Sequence, residues 1–246
     1  MKHTNLAQAS LLFLLFISCT NQPSPKLEDG LRPEYQGFIP ASIAVWSCQV
    51  WPSLQHDRFD LGTKPTEMNL CESIDRFVIE SFHEQPLVRG HSPQAIKEMM
   101  KSKRSTIQPE DLSSWDLMFK TMNPSGLKAA PFYRRHLEHH APWQEWLRAF
   151  SNASDYSDAI LIPFITSQSF HNIKDRGLNL SRYSLGFTLF LIDTNTGHLI
   201  WTRHNHRLIL QPPSVEAGQK LIWDSLKQSI LRENIWQDFP GRLQKG

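Results

Sequence analysis

The chain carries little net charge, few cysteines and no long apolar run, and each shortage narrows what it can be. A formal charge of +2 over 246 residues leaves no basic stripe of the kind a nucleic-acid partner demands. The apolar run Leu11 to Ile17 falls well short of the ~20 residues a membrane-spanning helix needs. There is no Gly-x-Ser-x-Gly elbow, no Walker loop, no dinucleotide glycine fingerprint and no His-Glu-x-x-His spacing. Without such a motif the residues favour a non-enzymatic protein over a catalyst. What is present is ordinary for a globular chain, 40% hydrophobic and 20% charged. The eight tryptophans read first as core, since buried aromatics carry much of a core's burial energy. A Trp-lined platform for a small ligand is the alternative.

The first residues belong to targeting rather than to the fold. Lys2 and His3 precede the apolar run, and Phe16-Ile17-Ser18-Cys19 closes it. A small residue before a Cys at the end of such a run resembles the lipobox of bacterial lipoproteins, where Leu-Ala-Gly-Cys is commonest. The resemblance implies that residues 1–18 are removed and that Cys19 carries the acyl chains. Several chains on one residue give stable anchoring, where a single chain does not. Thr20 follows Cys19 in place of the Asp that favours inner-membrane retention, so the expected site is the periplasmic face of an outer membrane. The cell surface is the other location open to it. With Cys19 acylated, Cys48 and Cys71 remain as an even pair in an oxidising compartment. They are either a disulfide joining the first strand to the first helix or two buried free thiols.

Residues 19–37 are polar, contain Pro23, Pro25 and Pro33, and show no periodicity, which is the composition of a flexible tether. The rest, 38–246, reads as one α/β domain: a mixed sheet of about four to five strands with an antiparallel hairpin, flanked by helices, with a helical insertion over 65–153. The first strand lies within Ile39 to Trp51 and is apolar on both faces, the pattern of a covered central strand. Helices are expected from Thr66 to Phe82, from Ser92-Pro93, from Pro109, from Pro131, from Pro142 and from Ser214. Ile235, Trp236 and Phe239 are expected to dock the tail. Asp158 to Ile165 is a nearly unbroken apolar strand. Tyr183 to Asp193 and His198 to Leu210 form a hairpin around Thr194-Asn195-Thr196-Gly197, with Gly197 supplying the positive φ the turn requires.

Pairing Asp193 with His198 puts His204 and His206 on the core face and Arg203, Asn205 and Arg207 on a solvated one. A slip of one residue would invert that assignment. Arg203, Asn205 and Arg207 are thus the candidate partner surface. His204 and His206, at i and i+2 on a strand, and His136 with His139 or His140, at helical spacing, are candidate zinc ligands. Zinc is the one cofactor these residues suggest, for a metal-dependent hydrolase. Hydrogen-bonded structural histidines are the favoured reading.

Three stretches together point to a family: Ile43 to Pro52 with its Cys-x-Val-Trp-Pro ending, Ala159 to Pro163, and Phe190-Leu191-Ile192-Asp193-Thr194 followed by Thr196-Gly197 and Ile200-Trp201. They resemble a group of uncharacterised bacterial envelope lipoproteins. Those are similar in turn to the α/β core of the curli-transport lipoprotein and to the amino-terminal domain of the Tol-system periplasmic protein. The resemblance implies an envelope lipoprotein with a mixed sheet flanked by helices, and it brings no active site with it. The favoured role is a non-enzymatic component that binds an envelope protein partner or helps assemble an envelope complex.

Overall fold

The structure, a computed structural model, describes residues 29–50, 67–83, 88–102, 133–153, 157–175, 178–211 and 235–241. One mixed sheet of seven strands organises them, against the four to five expected. In chain order these are β1 (Gly30–Leu31), β2 (Ser42–Val45), β3 (Gln49–Val50), β4 (Arg89–His91), β5 (Ala159–Asp175), β6 (Leu178–Asp193) and β7 (Leu199–Gln211). Their order across the sheet is β1-β7-β6-β5-β2-β4, with β3 also lying on β5. β2 runs parallel to β4 and β5, and the remaining long pairs are antiparallel. The additional strands are two or three residues long, too short for any periodicity to mark.

The apolar run Ile43-Ala44-Val45 forms the fully buried heart of β2, as a strand covered on both faces must be. Asp158 fastens its entry, one carboxylate oxygen accepting from the Ala41 and Ser42 amides at 2.7 and 3.3 Å. Helix α1 (Glu67–His83) and helix α2 (Pro93–Ser102) both pack on β2. Ser92 caps α2, its hydroxyl accepting from the Ala95 amide at 3.2 Å. Helix α3 (Ala141–Ala153) lays Trp143, Trp146, Leu147 and Phe150 against the sheet. Trp146 stacks on Trp143 and Phe150 and meets Trp46 edge-on at 5.4 Å. On the other face Trp201 is covered by Trp236 and Phe239 of the tail. The described tryptophans therefore serve the core. The helices expected from Pro109 and Ser214, and the cap at Thr66, lie outside the described residues. The helix expected from Pro131 is a five-residue π-helical turn, Tyr133–Leu137.

Two differences from the sequence reading matter for function. The first concerns residues 19–37. From Asp29 onward this stretch is not a tether: β1 pairs with β7, Gly30 opposite Thr202 and Leu31 opposite Trp201. The second concerns the register of β7. Asp193 does pair with His198 at the turn, and Gly197 has φ +71°. Then Ile192 pairs with Leu199 but Leu191 with Trp201, so Ile200 is an extra residue. Such a bulge shifts everything beyond it by one. His204 accordingly stands opposite Thr188 and His206 opposite Gly186, while Arg203, Asn205 and Arg207 stand opposite Leu189, Phe187 and Leu185. The expected faces are exchanged, and Asn205 is buried. A second bulge, at Thr166, shifts β5 against β6 in the same way.

Candidate functional site

The bulge at Ile200 and the strand laid over it form the most developed polar site among the described residues. An extra residue breaks the ladder and leaves backbone groups without strand partners. Here the partners come from two distant side chains. Glu138, just past the π-helical turn, accepts from the Leu199 amide at 3.0 Å. The same Oε1 accepts from the Arg32 guanidinium at 2.7 Å. Arg32 in turn donates to the Leu199 carbonyl at 3.3 Å, and its own amide donates to the Ile200 carbonyl at 2.9 Å. The side chains of Arg32 and Glu138 are only 17% and 8% exposed, so this ion pair is mostly shielded from water.

The segment from Asp29 to Tyr35 is thus a strap over β7, and it extends to either side of the bulge. Asp29 accepts from the His204 amide at 2.8 Å, and the His204 imidazole lies 4.0 Å from the same oxygen. Its Nδ1 is 2.6 Å from the Thr188 hydroxyl. Beyond Arg32, the Tyr35 hydroxyl donates to Asp193 at 3.1 Å and meets the Thr196 hydroxyl at 3.2 Å. Asp193 also holds the hairpin turn, its other oxygen accepting from the Asn195 and Thr196 amides. Burial leads the causes that push the Tyr35 phenol above its ordinary range. Beneath the turn, buried Tyr133 donates to the Gly197 carbonyl at 2.7 Å and accepts from the Trp143 indole at 2.9 Å. Burial raises that phenol well above its usual value.

Across the domain, Cys48 and Cys71 come together with Cα atoms 5.0 Å apart and their sulfurs bonded. Asp75, one turn beyond Cys71 on α1, accepts from the Cys48 amide at 2.8 Å. Burial is the main cause that raises its carboxyl to about 6. Asp29, Asp75, Glu138, Asp158 and Asp193 all do the same work: each holds backbone amides in place.

The residues singled out from sequence are scattered by this arrangement. His136 and His140 are half-buried beside the π-helical turn, His139 is exposed, and His204 sits at the strap. Among the described residues no three His, Cys, Asp or Glu side chains are placed to hold a metal ion. Arg203 is half-buried and donates to the Gln237 side chain at 3.3 Å; the side chains of His206 and Arg207, like Cys19 itself, lie outside the described residues. Glu138 and Arg32 were not singled out, since a lone Glu among histidines and a lone Arg in a polar leader carry no pattern in one dimension. Also among the described residues, no helix is long and apolar enough to cross a membrane.

No protein-family model matches the chain, and no curated protein matches it. Among solved structures it is similar to lipoprotein GNA1162 from Neisseria meningitidis, at 11% identity over 78% of this chain and 99% of that one, TM-score 0.39. It is similar to the hypothetical protein CT253 from Chlamydia trachomatis, at 11% identity over 81% and 98%, TM-score 0.38. A third is the PelC dodecamer from Paraburkholderia phytofirmans, at 14% identity over 76% and 86%, TM-score 0.34. At these scores the likeness assigns no activity, ligand or partner to this chain.

Proposed function

We propose that the chain is a lipid-anchored envelope protein, held by Cys19 on the periplasmic face of an outer membrane, that acts by binding a protein partner. The observation that carries the reading is the leader itself, a short apolar run closed by Ser18-Cys19. Among the described residues, the partly buried acids Asp75, Glu138 and Asp158 are engaged by backbone amides, which fits a binding role. A disulfide between Cys48 and Cys71 fits an oxidising compartment. The partner contact we propose is Arg203, half-buried beside Gln237; Asn205, buried opposite Phe187, drops out of it.

The test is a photo-crosslinking residue placed at Arg203 in intact cells. A discrete adduct with an envelope protein supports the proposal. An adduct with lipid alone, or none, would contradict it.

A further inference from the structure

We infer that the strap decides which side of the domain faces the bilayer: the β7 edge, where Asp29 meets His204, is turned to the lipid headgroups. The inference rests on the acylated Cys19 proposed above. Cys19 and Asp29 are ten residues apart, so the chain between them spans at most about 35 Å even when fully extended. If the chain were loose as far as Phe38, that reach would be about 65 Å. The difference decides the geometry. A domain of this length has a radius of gyration of ~17 Å, hence a radius near ~22 Å and a half-circumference of ~69 Å. A loose tether could very nearly carry the chain around the molecule and present any face to the membrane. The strapped one reaches only halfway, so the side bearing Asp29 cannot turn away from the membrane.

Three sets of bonds hold the strap there. They are the hydrogen bond from the His204 amide to the Asp29 carboxylate, the pairing of Gly30 and Leu31 with β7, and the Arg32–Glu138 pair at the bulge. The exposed Gln237 and Asp238 lie beside this edge: the Gln237 carbonyl accepts from the Trp201 indole, and Asp238 approaches Gly30. The opposite rim is β4, four strand spacings or about 19 Å from β7, with Arg89 exposed on it.

The test uses the mature acylated protein in vesicles of phosphatidylethanolamine and phosphatidylglycerol carrying a headgroup energy acceptor. A donor dye is attached to Gln237→Cys in one sample and to Arg89→Cys in another. Transfer is expected to be severalfold stronger from position 237. Inserting about twenty Gly/Ser residues after Glu28, which lengthens the leash and leaves the strap intact, is expected to remove the difference. Equal or reversed transfer in vesicle-bound protein would overturn the orientation while leaving the anchor standing. An amino-terminal peptide without acyl mass would overturn the anchor, and the orientation with it.

Discussion

At Glu138 one carboxylate oxygen accepts from both a guanidinium and a backbone amide, so a single side chain serves the ion pair and the bulge together. Removing one partner of a shielded pair leaves the other charge stranded, and this costs more than the pair itself contributes. Glu138→Ala is therefore expected to destabilise the domain by on the order of 3 kcal/mol, read as a lowered urea midpoint. Glu138→Gln, which keeps an acceptor for the Leu199 amide, should cost less. Asp75 behaves differently. Folding raises its carboxyl from 3.8 to about 6, so the folded state holds the proton more tightly than the unfolded one. Its contribution is complete below about pH 4 and is lost as pH rises through 6, a penalty of up to about 3 kcal/mol at neutral pH. Asp75→Asn should be more stable than the parent at pH 7 and indistinguishable from it near pH 4. A gap that stays constant across that range would refute the assignment.

At the scale of elements, the covalent link between β2–β3 and α1 closes a loop of 23 residues. A crosslink of that span stabilises by about 3 kcal/mol through the unfolded chain. Thiol counting on the denatured, unreduced protein should find neither Cys48 nor Cys71 free, and Cys71→Ala should lose that stability. The elements that sequence marked well are those with a strong local signal: Ser92-Pro93 opening α2, the apolar run of β2, and Gly197 at the turn. Polar strand segments such as Thr166 to Asp175 and Leu178 to Arg182 were missed, because Ser, Asn and Gln dilute the alternation there. The register of β7 was illegible for another reason. The residue that breaks it, Ile200, is an ordinary strand former, and the bulge is stabilised by Arg32 and Glu138 from far away in the chain. A one-residue slip exchanges the faces of β7, and nothing local in the chain marks where that slip occurs.

For the molecule as a whole, the strap and the leader act together. In the proposed reading Cys19 is the site of attachment and the strap fixes where on the domain the pull arrives. Long β5, β6 and β7 run on past the short strands, so the sheet has a thick buried part around β2 and a three-stranded extension beyond it. Arg203, beside the strap, would be close enough to the bilayer to meet a partner seated in the same membrane. All of this depends on Cys19 being the first residue of the mature chain and bearing lipid. Mass spectrometry of the amino-terminal peptide from envelope-purified protein measures that directly. The account predicts a peptide that begins at Cys19 and carries a diacylglyceryl thioether with an acylated amine; a peptide that retains Met1, or an unmodified Cys19, would contradict it.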